Sequence, residues 1–330
     1  EVGIDRPGDI TSLAGWLQPD VVVVTALPSI PVHVENFKKP EDLLNEKKAL
    51  VRALKLDGTL ILNGDDKRVL DLRHRFSKFH TLTYGIEAHN DVIASHINIV
   101  YTAPTNKSLR PSGMEFRVDE EGSSIPMKIY GRLGQHQVYP IVAAFAVARA
   151  LGLAPLRVAK KLEESECSRG RMCILEGYND SVLIDDSYNA SPVAVRAALS
   201  VLKKLEVSGK KVAILGDMLE LGAFSKEAHR KVGVQAAGVV DDLYVVGTYA
   251  RCVARSAADA GLDDKHIHQY EAHQGLQAGR DVREQLQAED VVLVKGSQSI
   301  RLEKAVKELL AHPRQAKNML ARQEPEWLAL

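Results

Sequence analysis

Residues 185–192, Asp185-Asp186-Ser187-Tyr188-Asn189-Ala190-Ser191-Pro192, place two carboxylates, a phenol, an amide and two hydroxyls in eight positions. They follow a run of strand formers at 181–184. Beyond Pro192, Val195, Ala198, Leu199 and Leu202 recur at i, i+3, i+4 and i+7, so the spacing predicts a helix with one buried face. Ser191 suits the N-cap and Pro192 the first helical position, where its missing N–H costs nothing. A strand, a polar turn and a helix N-terminus form the usual place in an α/β protein to hold a ligand, an anion in particular. An ordinary capped turn would use the same residues. What separates this one is its company: later predicted strands end in Gly216-Asp217, Gly247 and Lys295-Gly296-Ser297.

Those strands, at 182–185, 211–215, 242–246 and 291–294, alternate with helices, which argues for a parallel, doubly wound sheet with ligands at the carboxyl ends. The first half reads similarly, with strands at 21–25, 59–62 and 80–83 and a charged helix at 40–54 that carries Lys47 and Lys48. A Pro-rich loop with Pro28 and Pro31 leads to His33. Residues 91–131 change to short alternating segments, the mark of a small antiparallel sheet. Residues 138–151 are apolar nearly all round, hence a buried helix that tolerates Pro140 in its first turn, and 155–164 form another helix. The chain turns polar around Cys167 to Arg171, which sets the expected domains at 1–168 and 169–330. A last helix at 301–310 buries Leu302, Val306 and Leu309; the tail from His312, with weak periodicity, is expected to be loosely held despite Trp327.

At 330 residues and 45% hydrophobic content, the chain is long enough for about two domains. Its 43 basic and 43 acidic residues cancel, leaving no electrostatic footprint for nucleic acid or membrane. No apolar run reaches the length of a membrane span. Cys167, Cys173 and Cys252 have neither zinc-knuckle spacing nor an even count, so they are expected to be reduced thiols in a cytoplasmic protein.

Several motifs together resemble the Mur ligase family of ATP-dependent amide-bond-forming enzymes. They are Glu1-Val2-Gly3 with Pro7-Gly8, His33-Val34-Glu35, Lys47, Asn63-Gly64-Asp65-Asp66, Gly134 with His136, Arg169-Gly170-Arg171, DDSYNASP at 185–192, GDMLELG at 216–222 and KGSQS at 295–299. DDSYNASP followed by GDMLELG is the specific pair. The resemblance implies an N-terminally incomplete central ATPase domain followed by a Rossmann-like C-terminal domain. It implies ATP and Mg2+ as cofactors, with UDP-MurNAc-peptide and D-Ala-D-Ala as substrates of a cytoplasmic monomer. Phosphoryl transfer of this kind needs cations at the phosphates and a site that positions both nucleophiles.

Carried over position by position, the resemblance makes Glu1, His33 and Lys47 a metal site, with Lys47 and His33 catalytic and Lys47 carrying a carbamate. Arg171, Asp186, Tyr188, Asn189 and His136 become nucleotide contacts, and Lys295 and Ser297 contacts of the dipeptide or acyl phosphate. Read alone, Lys47 is a solvated helix lysine and His33 a surface or capping histidine. Asp217 and Glu220 fit helix capping and packing as well as ligand contact.

The sequence also departs from the family pattern. No GxxxxGK[ST] phosphate loop occurs in the 330 residues, and Gly209-Lys210-Lys211 fails its spacing. In the family that loop lies upstream of the segment matching Glu1, so the chain is expected to lack it together with a UDP-substrate domain, and by itself to bind ATP poorly. Pro140 stands where an asparagine near the adenine is usual and Ala49 where a glutamate is usual, while the 25–33 loop is two residues longer. A non-catalytic, ligase-derived module that binds nucleotide or precursor is the rival reading. A nicotinamide dehydrogenase is disfavoured, because no GxGxxG follows a predicted strand.

Overall fold

The computed structural model describes residues 2–28, 34–103 and 109–328. After helix α1 (Asp9–Ala14), strands β1 (Val21–Val24), β2 (Thr59–Asn63) and β3 (His80–Gly85) run parallel, linked by α2 (Pro40–Arg52) and by the short α3 (Lys67–Leu70) and α4 (Leu72–Arg75). β4 (Val92–Thr102), β5 (Arg110–Glu120) and β6 (Ser123–Tyr130) follow in order. The antiparallel segments do form, but they continue the parallel strands rather than make a sheet of their own. β4 starts parallel to β3 at Tyr84↔Val92 and then pairs antiparallel with β5. Asp65, at the end of β2, fixes that turn by accepting from Ile86 N at 2.7 Å and Asn90 Nδ2 at 2.8 Å.

Alternation along β2 gives this sheet two apolar faces. Leu60 and Leu62 join Val51 of α2 and Val69 of α3, whereas Ile61 joins Phe145 of α5 (Val138–Ala150). α6 (Pro155–Glu163) then leads into the second half.

The second sheet contains β7 (Cys173–Glu176), β8 (Val182–Asp186), β9 (Lys211–Gly216), β10 (Asp242–Val246), β11 (Ile267–Tyr270) and β12 (Val291–Lys295), in the order β11-β10-β9-β12-β8-β7. All neighbours are parallel except β7, which is antiparallel to β8. Helices α7 (Pro192–Lys204), α8 (Ser225–Ala237) and α9 (Ala250–Asp259) cover the face of Ala213 and Leu215. Helices α10 (Gly275–Gln285) and α11 (Glu303–Leu309) cover the face of Val212 and Ile214. This is the doubly wound arrangement that the alternation predicts. β7 and β11 escaped the sequence reading because both are edge strands without a fully buried run.

Two expectations are corrected. Cys167 and Cys173 are disulfide-bonded, with Cα atoms 5.9 Å apart, because left-handed Gly170 and Met172 fold the intervening loop back on itself. The tail is packed, not loose: past α12 (Ala316–Met319) and before α13 (Pro325–Leu328), Leu320 is fully buried and Arg322 is 5% exposed. Single anchors hold it rather than an amphipathic stripe, so periodicity carried no signal.

Candidate active site

β12 is inserted between β8 and β9, so the ends of these three strands lie side by side. The register sets Lys295 opposite Asp186, the last residue of β8. Lys295 Nζ lies 2.7 Å from Asp186 Oδ2 and donates to Asn189 O at 2.8 Å, with both charged side chains buried. Burial pushes the Asp186 carboxyl upward, and the Lys295 ammonium pulls it back. The preceding Asp185 is wholly buried and is pushed up to about 6, chiefly by that burial; its Oδ1 accepts from Ser187 N at 3.1 Å. Ser191 caps α7 as its sequence position predicts, accepting from Ala194 N at 3.3 Å.

A cleft of about 230 Å³ opens on this pair, lined by Asp186, Lys295, Asn189, Gly170, Arg171 and His136 among others. Gly170, at φ +70, closes against the turn, since a Cβ there would sit 3.0 Å from Tyr188 N. The Arg171 guanidinium lies 4.5 Å from the centroid of the Tyr188 ring. From the first half, Gly134, at φ +105, places His136 at the mouth; a Cβ at Gly134 would come within 2.6 Å of the imidazole. Burial, then the nearby Lys295 charge, hold His136 down at about 4, so it is neutral at physiological pH. An apolar cavity of about 370 Å³ adjoins His136 between Ile86, Ile99 and Tyr139 of the first half and Val201 of α7. Pro140 is exposed and lines neither space.

A second cleft, of about 480 Å³, shares Asn189 with the first and is lined by Leu219, Glu220, Ser297, Tyr249, Trp327 and, from the first half, Glu35, among others. Ser297 Oγ accepts from Leu219 N at 2.9 Å, tying the residues after β12 to those after β9. Asp217 is a structural cap: it accepts from Thr248 N at 3.0 Å and Ala250 N at 2.6 Å, and Gly247 lacks the Cβ that its carboxylate would strike. Fully buried His229 was missed by the sequence reading. Its Nε2 accepts from Met218 N at 2.9 Å, and its Nδ1 therefore carries the proton and donates to Ser225 O at 2.7 Å.

The family profile described as Mur ligase middle domain matches residues 1–148, and the one described as Mur ligase, glutamate ligase domain, matches 170–298. The chain belongs to the Mur ligase family. It is 30% identical over 316 residues to the UDP-N-acetylmuramoyl-tripeptide--D-alanyl-D-alanine ligase of Bacillus subtilis, covering 95% of this chain and 64% of the relative. The Escherichia coli protein of the same name is 25% identical over 260 residues, covering 78% and 54%. Among solved structures, the MurF ligase of Thermotoga maritima in complex with ADP superimposes with a TM-score of 0.75 at 25% identity, over 96% of this chain and 67% of that one. MurF from Acinetobacter baumannii shares the fold, with a TM-score of 0.76 at 23% identity, over 92% of this chain and 62% of that one. The Mur ligase chain thus spans between about half and two thirds of the curated relatives named here.

In this member of the Mur ligase family, five of the sequence-predicted site residues meet in the first cleft: His136, Arg171, Asp186, Asn189 and Lys295. Tyr188 stacks behind it under Arg171, and Ser297 belongs to the second cleft. Lys47 lies on α2, half-buried, and lines neither. Glu1 and His33 fall outside the described residues. The Asn63-Gly64-Asp65-Asp66 motif is architectural here: Asp65 also accepts from Tyr139 Oη at 2.8 Å, and Asp66 caps α3.

Proposed function

We propose that this chain is the nucleotide-binding and amide-forming part of an ATP-dependent ligase that adds D-Ala-D-Ala to UDP-MurNAc-tripeptide through an acyl phosphate. The observation that carries the reading is the buried Lys295–Asp186 pair at adjacent strand ends, facing a cleft walled by both halves of the chain. The 30% identity to a curated ligase of that name supports the substrate assignment.

The residues present fit a nucleotide. Gly170 leaves room at the cleft wall, Asp186 offers a carboxylate to ribose hydroxyls, and Arg171 offers a guanidinium to phosphate. The apolar cavity beside neutral His136 suits a purine. Lys295 and Ser297 would orient the dipeptide and acyl phosphate in the neighbouring cleft. ATP, when bound, supplies the phosphoryl group that activates the acceptor carboxylate.

Mg2+ would be held by Glu1, His33 and a carbamylated Lys47, the residues that the family resemblance implies. Among the described residues no three His, Cys, Asp or Glu side chains cluster as an independent metal site. Burial holds the Lys47 amine below its ordinary value, and the neutral amine is the form that carbon dioxide attacks. We place the domain boundary between residues 168 and 169 and the reaction in the cytoplasm, with the protein a monomer.

The test is phosphate release from ATP by the native protein, with mass analysis of the product. The reading requires that release depend on both UDP-MurNAc-tripeptide and D-Ala-D-Ala and that the product carry the added dipeptide. Nucleotide binding without release, with both substrates present, would instead establish a non-catalytic binding module.

A further inference from the structure

Beyond residue 298, where the family match ends, the chain returns to the site. Arg322, buried in the tail, donates from Nη1 to Ser187 O at 3.4 Å and from Nη2 to Tyr188 O. Its guanidinium lies 4.8 Å from the centroid of the Tyr188 ring, the ring that Arg171 also covers, and 5.6 Å from that of Trp327. Glu303, 1% exposed, holds Arg322 at 3.4 Å and pairs with Arg301 as well. Since Lys295 takes the carbonyl of Asn189, three consecutive carbonyls of the 187–189 turn are each held by a buried cation.

We propose that Arg322 is a positioning residue for the nucleotide edge: it fixes the peptide planes of 187–189 and the Tyr188 ring, making the C-terminal tail part of the ligase site. This rests on the reading of Asp186, Tyr188 and Asn189 as that edge. Packing alone does not call for a charge here, because replacing a buried ion pair by hydrophobic residues of similar volume is often neutral or stabilising. The planar fork is what the position uses: one side chain reaches two successive carbonyls, a carboxylate and two aromatic faces. A lysine ammonium could satisfy the charge but not that geometry.

The experiment is calorimetric titration of ADP with Mg2+ into the native protein and its variants, alongside thermal midpoints. Arg322→Lys, which keeps the charge beside Glu303, is expected to weaken ADP binding about tenfold. Arg322→Ala should also lower the midpoint, because Glu303 loses a partner. Arg322→Met keeps most of the side-chain volume and leaves Glu303 paired with Arg301, so it is expected to regain part of the midpoint lost in Arg322→Ala while ADP binding stays weak, a split that a purely structural role does not produce. Wild-type ADP affinity in Arg322→Lys or in Arg322→Met would overturn the inference. Absence of ADP binding by the unsubstituted protein would be a different result, overturning the nucleotide reading itself and this inference with it.

Discussion

Lys295 and Asp186 stand opposite each other on adjacent parallel strands, 2.7 Å apart and buried at the base of a cleft, so neither charge is well solvated if the other is removed. Lys295→Met is therefore expected to destabilise the fold by about 3–5 kcal/mol, the cost of stranding a buried carboxylate. Lys295→Met with Asp186→Leu should recover most of that loss without recovering ADP binding. Urea unfolding and ADP titration on the same samples check both statements. A single variant within 1 kcal/mol of wild type, on the ~1 kcal/mol scale of an exposed pair, would show that Asp186 does not depend on Lys295.

The Cys167–Cys173 bond closes the loop that carries Gly170 and Arg171 into the cleft. Thiol titration of the denatured, unreduced protein should detect Cys252 alone, and all three cysteines after reduction. Cross-linking so short a loop is worth about 2 kcal/mol by the chain-entropy argument, so Cys167→Ser should lower stability by that order. Three thiols without reductant would mean that the bridge does not form in the isolated protein.

His229 satisfies two buried backbone groups at once, Met218 N–H and Ser225 C=O, and so holds the start of the 218–222 segment. His229→Ala is expected to cost about 2–4 kcal/mol, from unmet polar groups and the cavity left behind. Leu219, Glu220 and Gly222 line the cleft with Ser297, so on the proposed assignment of that cleft to the dipeptide the KM for D-Ala-D-Ala should rise more than that for ATP. Steady-state kinetics showing equal effects on both substrates would separate His229 from the proposed dipeptide site.

Lys47 lines neither cleft, and the proposed function gives it a role at the metal. Lys47→Ala should reduce ligase turnover by at least about 100-fold, the scale of removing one preorganised charge-stabilising group. Stability should change little, since the half-buried Lys47 side chain is exchanged within an intact helix. Carbon-13 bicarbonate should give a carbamate resonance in the wild type that is absent from the variant. Full activity in Lys47→Ala would remove it from the mechanism.

The buried β-branched runs of β8, β9, β10 and β12 made the second sheet legible, and Ser191-Pro192 marked the start of α7, because periodicity and capping are local properties. The Lys295–Asp186 contact was not legible as a pair, although both residues were singled out. Their adjacency depends on β12 entering between β8 and β9, a matter of topology. His229 and Arg322 left no motif at all: one is a lone histidine on an amphipathic helix that reaches back to the loop before that helix, the other a lone arginine in an aperiodic tail whose backbone partners are distant in sequence. The disulfide was hidden by the odd cysteine count, which argued against a framework but not against a single bridge.

His136 offers a pH test whose sign is fixed by its surroundings. Its folded value is about 4 against an ordinary 6.5, lowered by burial and then by Lys295. Between those values the unfolded chain binds a proton that the folded one does not, so this group's contribution to stability falls as pH drops from about 6.5 to about 4 and levels off below. Asp185, pushed up to about 6, acts in the opposite direction over part of that range, so wild type is best compared with His136→Gln, which retains Asp185. The free-energy difference between the two should shrink with falling pH, by at most about 1.4 kcal/mol per unit. Repeating the comparison in the Lys295→Met background should narrow the window by raising its lower edge, because one of the two causes that depress the folded value is gone. A difference independent of pH would mean that the imidazole is not held neutral at the cleft mouth.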